Sequence, residues 1–587
     1  VNNKMLSASI DGTIKIWDVE STNSSLKGIV IPLQENQYVV TTPTGLFDAT
    51  PDAMKQLHYV KRGKLINLDQ IKDNYYEPML LSKLLELNPE PIRASNSLAN
   101  ESLYPELALK HPLKNGGKLG INLNNSGGGI GRVLIMINGK EVSSDVRSAG
   151  STPDASSLEI DYDITDHPFL YNDRVNKITI KAYNADGTLS SDAKSLYVFG
   201  EEKTLEAPNL YAIIAGTSNY EGDALDLKYA AKDAGDLANA LKLSATKYLG
   251  AEKTNIKLLT TDQDKTAWPT KENIQKAFQE YQSKAKANDI LFVYLSGHGV
   301  NHTGDMSDFY YLTSDAASGD MNNTITRDQY AISSSEFTEY IKAVPALKQI
   351  LIIDACHSGR LASSLASSRS AMSSTQIRAL ERMKDRTGLF VLAGSAADAV
   401  SYETTLYGQG LLTYSLLFGM KGAALRDDEF IDVLSLFQFA ANKVPELAEE
   451  IGGIQKPEIR VPEDGKSFDI GRLDVADRDA IQLAAPKPVY VNSRFQDETM
   501  IFDRLNLNEL LDQKLLELSK MDDAPIAYVD NKNFSGATII NGRYQEANGL
   551  IKAQLTFVSK DSVIKQVEIE TLNAELLAEE IIKQLVY

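Results

Sequence analysis

A single cysteine, at position 356, stands in this chain of 587 residues. No internal disulfide can form, and no cluster of thiolates can hold a metal. A lone free thiol suits a reducing compartment, so a cytoplasmic setting is the expectation. Basic residues are in deficit: 60 Lys and Arg against 79 Asp and Glu leave a formal charge of −19. That balance argues against a nucleic-acid partner, since phosphate recognition needs clustered cations. No apolar run approaches the roughly 18 residues that a membrane span requires, and the reading is of a soluble protein. The chain opens at Val1 with no charged-then-apolar leader, a start that suggests a piece of something longer.

At about 150 residues per domain, this length predicts three to five domains, and 43% hydrophobic residues supply several cores. The cysteine sits in Gln349-Ile350-Leu351-Ile352-Ile353-Asp354-Ala355-Cys356-His357-Ser358-Gly359. Four consecutive aliphatics form the pattern of a strand covered on both faces in a parallel sheet. A cysteine just past such a run stands at the carboxyl edge, where ligands and catalytic groups gather. Taken alone, it reads equally as a small buried hydrophobe. A second stretch, Asp289-Ile290-Leu291-Phe292-Val293-Tyr294-Leu295-Ser296-Gly297-His298-Gly299, has the same grammar. Two parallel strands joined by a helical crossover would bring His298 and Cys356 to one sheet edge. An imidazole beside a thiol is the usual means of making a thiolate nucleophile. The glycines flanking His298 are expected to let a substrate backbone approach.

In Tyr294-Leu295-Ser296-Gly297-His298-Gly299 and Asp354-Ala355-Cys356-His357-Ser358-Gly359, with flanking sequence from about Leu210 to Ile470, the chain resembles the caspase-like cysteine peptidases. The branch it resembles is that of the metacaspases and bacterial orthocaspases. The 58 residues between His298 and Cys356 are close to the roughly 50 of caspases. The resemblance implies a His298–Cys356 dyad, with the backbone N–H groups of Gly299 and Cys356 as oxyanion hole. It also implies that Asp233 and Asp354, with Ser296 as a small polar neighbour, line a pocket selecting Arg or Lys before the cut. Aspartate-specific caspases carry Gln-Ala-Cys-Arg-Gly at the nucleophile, and this chain departs from that. The plainer readings are a solvated helix face for Asp233 and a turn-capping acid for Asp354.

After the nucleophile comes a Ser- and Ala-rich stretch with Arg360, Arg369 and Arg378. It reads either as an exposed autoprocessing loop or as an uncut lid. Many relatives need calcium, yet Asp305, Asp308, Asp315, Asp320 and Asp427-Asp428-Glu429 lack the spacing of a calcium loop. They read as solvated loops, so no cofactor is expected, and calcium stays open without a clear motif to support it.

The fold class expected is multidomain: an α/β caspase-like core, a parallel-sheet αβα sandwich, with an amino-terminal β-hairpin and β-sandwich region and a carboxy-terminal α+β domain. Residues 1–26 look like the closing half of a WD-repeat propeller blade, an alternating hairpin around Asp11-Gly12 ending in Trp17-Asp18. Residues 27–112 mix strand and helix signals, and 113–202 read as an immunoglobulin-like β-sandwich. The glycine run at 127–131 precedes a strand and lacks a Gly-Lys-Ser/Thr ending, so it is no phosphate loop. The peptidase-like core spans 208–475. Residues 486–587 form an α+β unit with a mainly antiparallel sheet, read as a module for protein partners or substrates.

The leading functional expectation is a cysteine endopeptidase cutting protein or peptide substrates after basic residues. A catalytically silent scaffold of the same fold, and a peptidase of different specificity, are the alternatives.

Overall fold

The computed structural model describes residues 3–19, 24–110, 117–200, 206–302, 308–357, 372–394, 407–427, 429–450, 455–463, 465–483, 487–500, 502–519, 524–529, 537–559 and 562–586. Its central layer grows from the apolar runs. Strands β1 (Leu210–Gly216), β2 (Thr254–Thr260), β3 (Ile290–His302), β4 (Asp308–Leu312), β5 (Ala331–Ser333), β6 (Lys348–His357), β7 (Phe390–Ala393) and β8 (Glu458–Arg460) form one sheet. The order is β2-β1-β3-β6-β7-β8, parallel through β7, with β8 antiparallel at the edge. The antiparallel pair β4 and β5 extends the far end of β3.

Alternate residues of each strand enter opposite cores. Ile214, Phe292, Tyr294 and Ile352 pack against helices α1 (Ala230–Leu249), α5 (Leu411–Phe418) and α6 (Val433–Glu450). Ile213, Val293, Leu295 and Ile353 pack against α2 (Lys271–Lys284), α3 (Ser334–Ala343) and α4 (Ser374–Thr387). Burial on both faces is why these strands are continuous apolar runs rather than alternating ones. Capping boxes at Ser333 and Ser373 start α3 and α4, and Gly388, in the left-handed region, stops α4. Because β1 leads outward to β2 while β3, β6 and β7 follow on its other side, the chain changes direction between β1 and β3. The crevice beyond their carboxyl ends is the place where such sheets bind ligands.

The amino-terminal hairpin, Lys4–Ala8 with Ile14–Val19, does not stand alone. It continues through Ser24–Pro32, Tyr38–Thr41 and Phe47–Ala49 as one antiparallel five-stranded sheet. The boundary expected at 26/27 falls within its third strand. Two antiparallel sheets then face one core that joins Leu107, Ile121 and Leu123 to Ile135, Ile178 and Leu196. One strand of that pair, Glu106–Lys110, precedes the expected start at 113. The close approaches here explain the glycine run: a Cβ on Gly128 or Gly131 would lie 1.9 Å from the carbonyl oxygen of Leu103 or Asn184. The carboxy-terminal sheet is mainly antiparallel, as expected, with short parallel additions. Val489–Val491 and Arg494–Asp497 join it in parallel, beside the antiparallel strands Thr538–Ala547, Leu550–Ser559 and Ser562–Thr571. Among the described residues, no helix is long and apolar enough to cross a membrane.

The sandwich is fastened to the base of β6. Lys140, fully buried, donates to the carbonyls of Val344 and Ala346 and to Oε1 of Gln349, a β6 residue. Its neighbour Glu141 accepts from Lys342 and Arg386 at 2.6–2.8 Å. Helix α4 is gripped along its flank: Lys72 pairs with Glu381 and Asp385, Glu77 with Arg378, and Glu90 with the Ser374 hydroxyl. Lys140→Met would leave three buried acceptors without a donor. At about 1–3 kcal/mol for each unsatisfied group it is expected to lower the urea denaturation midpoint clearly; an unchanged midpoint would contradict this fastening.

Candidate active site

Strand β3 is longer than its neighbour β1. The pairing of β1 with β3 ends at Gly216 opposite Ser296, while β3 runs on through Gly297, His298 and Gly299 beside β6. Across that parallel pair Ser296 lies opposite Asp354, His298 opposite Cys356 and Gly299 opposite His357. Adjacent strands are about 4.8 Å apart, so the backbones of His298 and Cys356 are direct neighbours.

His298 is buried, at 7% exposure. Its Nε2 lies 2.7 Å from the Leu225 carbonyl oxygen. A carbonyl only accepts, so Nε2 carries a proton and Nδ1 is the acceptor nitrogen of the neutral ring. The His298 backbone N–H donates to Tyr220 Oη at 2.9 Å. The Tyr220 ring lies against the imidazole with centroids 5.2 Å apart at 31°. Burial pushes the imidazole pKa below the ordinary histidine value, with the Leu225 carbonyl and the charge of Asp226 opposing.

The flanking glycines serve the protein rather than a substrate backbone. A Cβ at Gly297 would lie 2.8 Å from Tyr220 Oη and 3.2 Å from Tyr311 Oη, and one at Gly299 would lie 2.4 Å from the Phe309 ring. Protein side chains already fill the space that the missing Cβ atoms leave.

Asp233, in the first turn of α1, is no solvated face; it is 2% exposed. Its Oδ2 accepts the Gly410 N–H at 2.9 Å, and its Oδ1 has no hydrogen-bond partner among the described residues. Asp354 Oδ2 accepts from the Thr413 hydroxyl at 3.0 Å, and that hydroxyl lies 2.6 Å from Tyr294 Oη. The two carboxylates converge: a Cβ on Gly410 would lie 2.8 Å from Asp233 Oδ2 and 3.2 Å from Asp354 Oδ2. Burial, opposed by the hydrogen bonds of Thr413 and Tyr294, pushes Asp354 up to about 6. Burial, followed by repulsion from Asp354, pushes Asp233 well above the carboxylate range. Ser296 is buried in register beside Asp354. Leu225, Tyr220, Gly410 and Thr413 had no signal of their own in the sequence.

Arg360 and Arg369 lie outside the described residues. Arg378 sits inside α4 with its guanidinium 2.8 Å from Glu77, whereas peptidases take extended segments. Asp305 and Asp428 lie outside the described residues, and Asp308 and Asp315 are engaged by Ser334 and Thr313. Among the described residues, no three His, Cys, Asp or Glu side chains converge as a metal site would require.

Residues 209–468 match the family model of the caspase domain. Metacaspase-6 of Arabidopsis thaliana is 29% identical over 144 residues, which is 24% of this chain and 36% of that relative. Metacaspase-7 of the same plant is 31% identical over 147 residues, covering 24% and 33%. Metacaspase-1 of Kluyveromyces lactis is 30% identical over 149 residues, covering 24% and 31%. The chain spans about a third of the length of these curated relatives. The segment thus carries a caspase fold with metacaspase homologues.

The raised Asp354 carboxyl makes a prediction of definite sign. Its folded pKa of about 6 lies above the unfolded value, so the folded state holds the extra proton, and the stability this contributes is lost as pH rises from 4 through 6. Asp354→Asn is therefore expected to gain stability relative to wild type between pH 4 and pH 7 in parallel denaturant titrations. A difference independent of pH would contradict the placement.

Proposed function

We propose that this caspase domain is a cysteine endopeptidase that cuts protein chains after Arg or Lys. The observation that carries the reading is the register that sets His298 opposite Cys356 beyond the end of β1. In the first step the thiol proton passes to Nδ1 of His298, and the sulfur bonds to the scissile carbonyl carbon. The oxyanion is received by the backbone N–H groups of Gly299 and Cys356. Collapse of this intermediate breaks the C–N bond, with the imidazolium giving its proton to the leaving amine. Water, deprotonated by the same imidazole, then hydrolyses the thioester.

Specificity for a cation is supported by the buried Asp233 and the half-buried Asp354, two carboxyls converging on Gly410, with one Asp233 oxygen unpartnered among the described residues. A guanidinium offers the fork of donors such a pair lacks. The same pair would reject an aspartate side chain by repulsion. A reducing compartment such as the cytoplasm would keep the thiol free. The flanking sandwich and carboxy-terminal unit are read as docking modules for protein partners, and the segment after Cys356 as the place for autoprocessing.

Fluorogenic peptides differing only in the residue before the cut test this reading. Arg and Lys peptides should be turned over and Asp peptides should not, and Cys356→Ala should abolish turnover. Asp354→Asn should lower kcat/KM for the arginyl peptide by roughly 10- to 100-fold, the worth of a hydrogen bond to a charged group. Cleavage undiminished in Cys356→Ala, or a preference for Asp, would overturn it, and an inert wild type would favour the silent scaffold.

A further inference from the structure

Among the described residues no side chain takes the place of a third catalytic member, yet His298 must hold one tautomer and one orientation. The segment just after β1 supplies the means. Tyr220 Oη accepts the backbone N–H of His298 at 2.9 Å, and the Tyr220 ring stacks beside the imidazole. Five residues on, the carbonyl of Leu225 takes the Nε2 proton. One short loop thus grips both the backbone and the ring of His298. The loop is itself fixed: the Tyr220 N–H donates to Asp226 Oδ1 at 2.8 Å and the Glu221 N–H to the Ser314 carbonyl at 2.9 Å. Beneath it Tyr220 and Leu225 share a small apolar core with Leu312, Ala316 and Met321. On the other side of Gly297, Tyr311 Oη donates to the Ser296 carbonyl at 2.9 Å. The absence of a Cβ at Gly297 is what lets both tyrosine hydroxyls come so near the strand.

We propose that Tyr220 is a positioning residue for the dyad: its hydroxyl and ring set the orientation of His298 so that Nε2 stays on the Leu225 carbonyl and Nδ1 stays turned to the reaction. The proposal deepens the peptidase reading and rests on it for its kinetic test. Tyr220→Phe keeps the ring and removes the acceptor, while Tyr220→Leu removes both. An orienting group acts on turnover rather than on substrate affinity, because the acidic pocket proposed for the basic side chain is built from other residues.

The test compares wild type, Tyr220→Phe and Tyr220→Leu on an arginyl fluorogenic peptide across pH, beside thermal unfolding and 15N NMR of the histidine rings, with the His298 signals assigned from His298→Gln. Tyr220→Phe should lose roughly 10- to 100-fold in kcat, the scale of a small misplacement of a catalytic group, with KM nearly unchanged and the acid limb of the pH profile displaced. Its Tm should fall by only about 2–4 °C. Tyr220→Leu should lose more kcat. In the NMR spectra the His298 ring should be a single Nε2-protonated tautomer in wild type and a mixture in Tyr220→Phe. A fall in Tm with kcat and its pH profile unchanged would reduce Tyr220 to a structural brace and overturn the proposal. Should wild type cleave no peptide, the peptidase reading fails, while the ring signals still judge Tyr220: identical tautomer signals in wild type and Tyr220→Phe would overturn it.

Discussion

The structure depends first on the parallel pairing of β3 with β6. Ten residue pairs, from Ile290 opposite Lys348 to Gly299 opposite His357, hold these strands in one register. Because a one-residue slip in a strand reverses every side chain, a sheet buried on both faces tolerates no other register. The large apolar cores on the two faces therefore do more than stabilise the fold. They set His298 against Cys356, and Ser296 against Asp354, to within the spacing of adjacent strands. The shortness of β1 supplies the complement. Since it ends opposite Ser296, His298 and Gly299 lie past its end, at the carboxyl edge where such sheets bind ligands.

A second constraint is electrostatic. Removal from water raises both carboxyls, and the charge of Asp354 adds to the rise at Asp233. Their hydrogen bonding is unequal: Thr413 serves Asp354, while Asp233 has one backbone donor and one lone oxygen. An arrangement costly by itself would be relieved by a cation, which is the basis of the specificity proposed above. Around this centre the accessory region is fastened rather than loosely tethered. Lys140 reaches the foot of β6, and the cations and anions of 72–141 grip α4, the helix that follows β6.

Much of this was legible in the sequence. Continuous aliphatic runs announce doubly covered strands, and the paired motifs at their ends fall in register, His298 opposite Cys356. Asp233 and Asp354 emerged only through resemblance, since a helix acid beside Lys232 looks solvated until the fold brings α5 against it. Leu225 escaped because a backbone carbonyl has no residue signature, and Tyr220 because its partner lies 78 residues on, which only the topology reveals. The glycines were recognised as close approaches, but the approaching groups are Tyr220, Tyr311 and Phe309 rather than substrate. At the carboxy terminus, strands as short as Val489–Val491 give too few alternations to show that they enter the sheet in parallel.

The most direct test of the central claim, that His298 activates Cys356, uses the scarcity noted at the outset. With one cysteine in the chain, alkylation by iodoacetamide reports Cys356 alone once the protein is kept folded. The account predicts that wild type reacts rapidly well below the ordinary thiol pKa of about 8.5, and that in His298→Ala the rate follows that ordinary titration. Superimposable rate–pH profiles for the two proteins would contradict it.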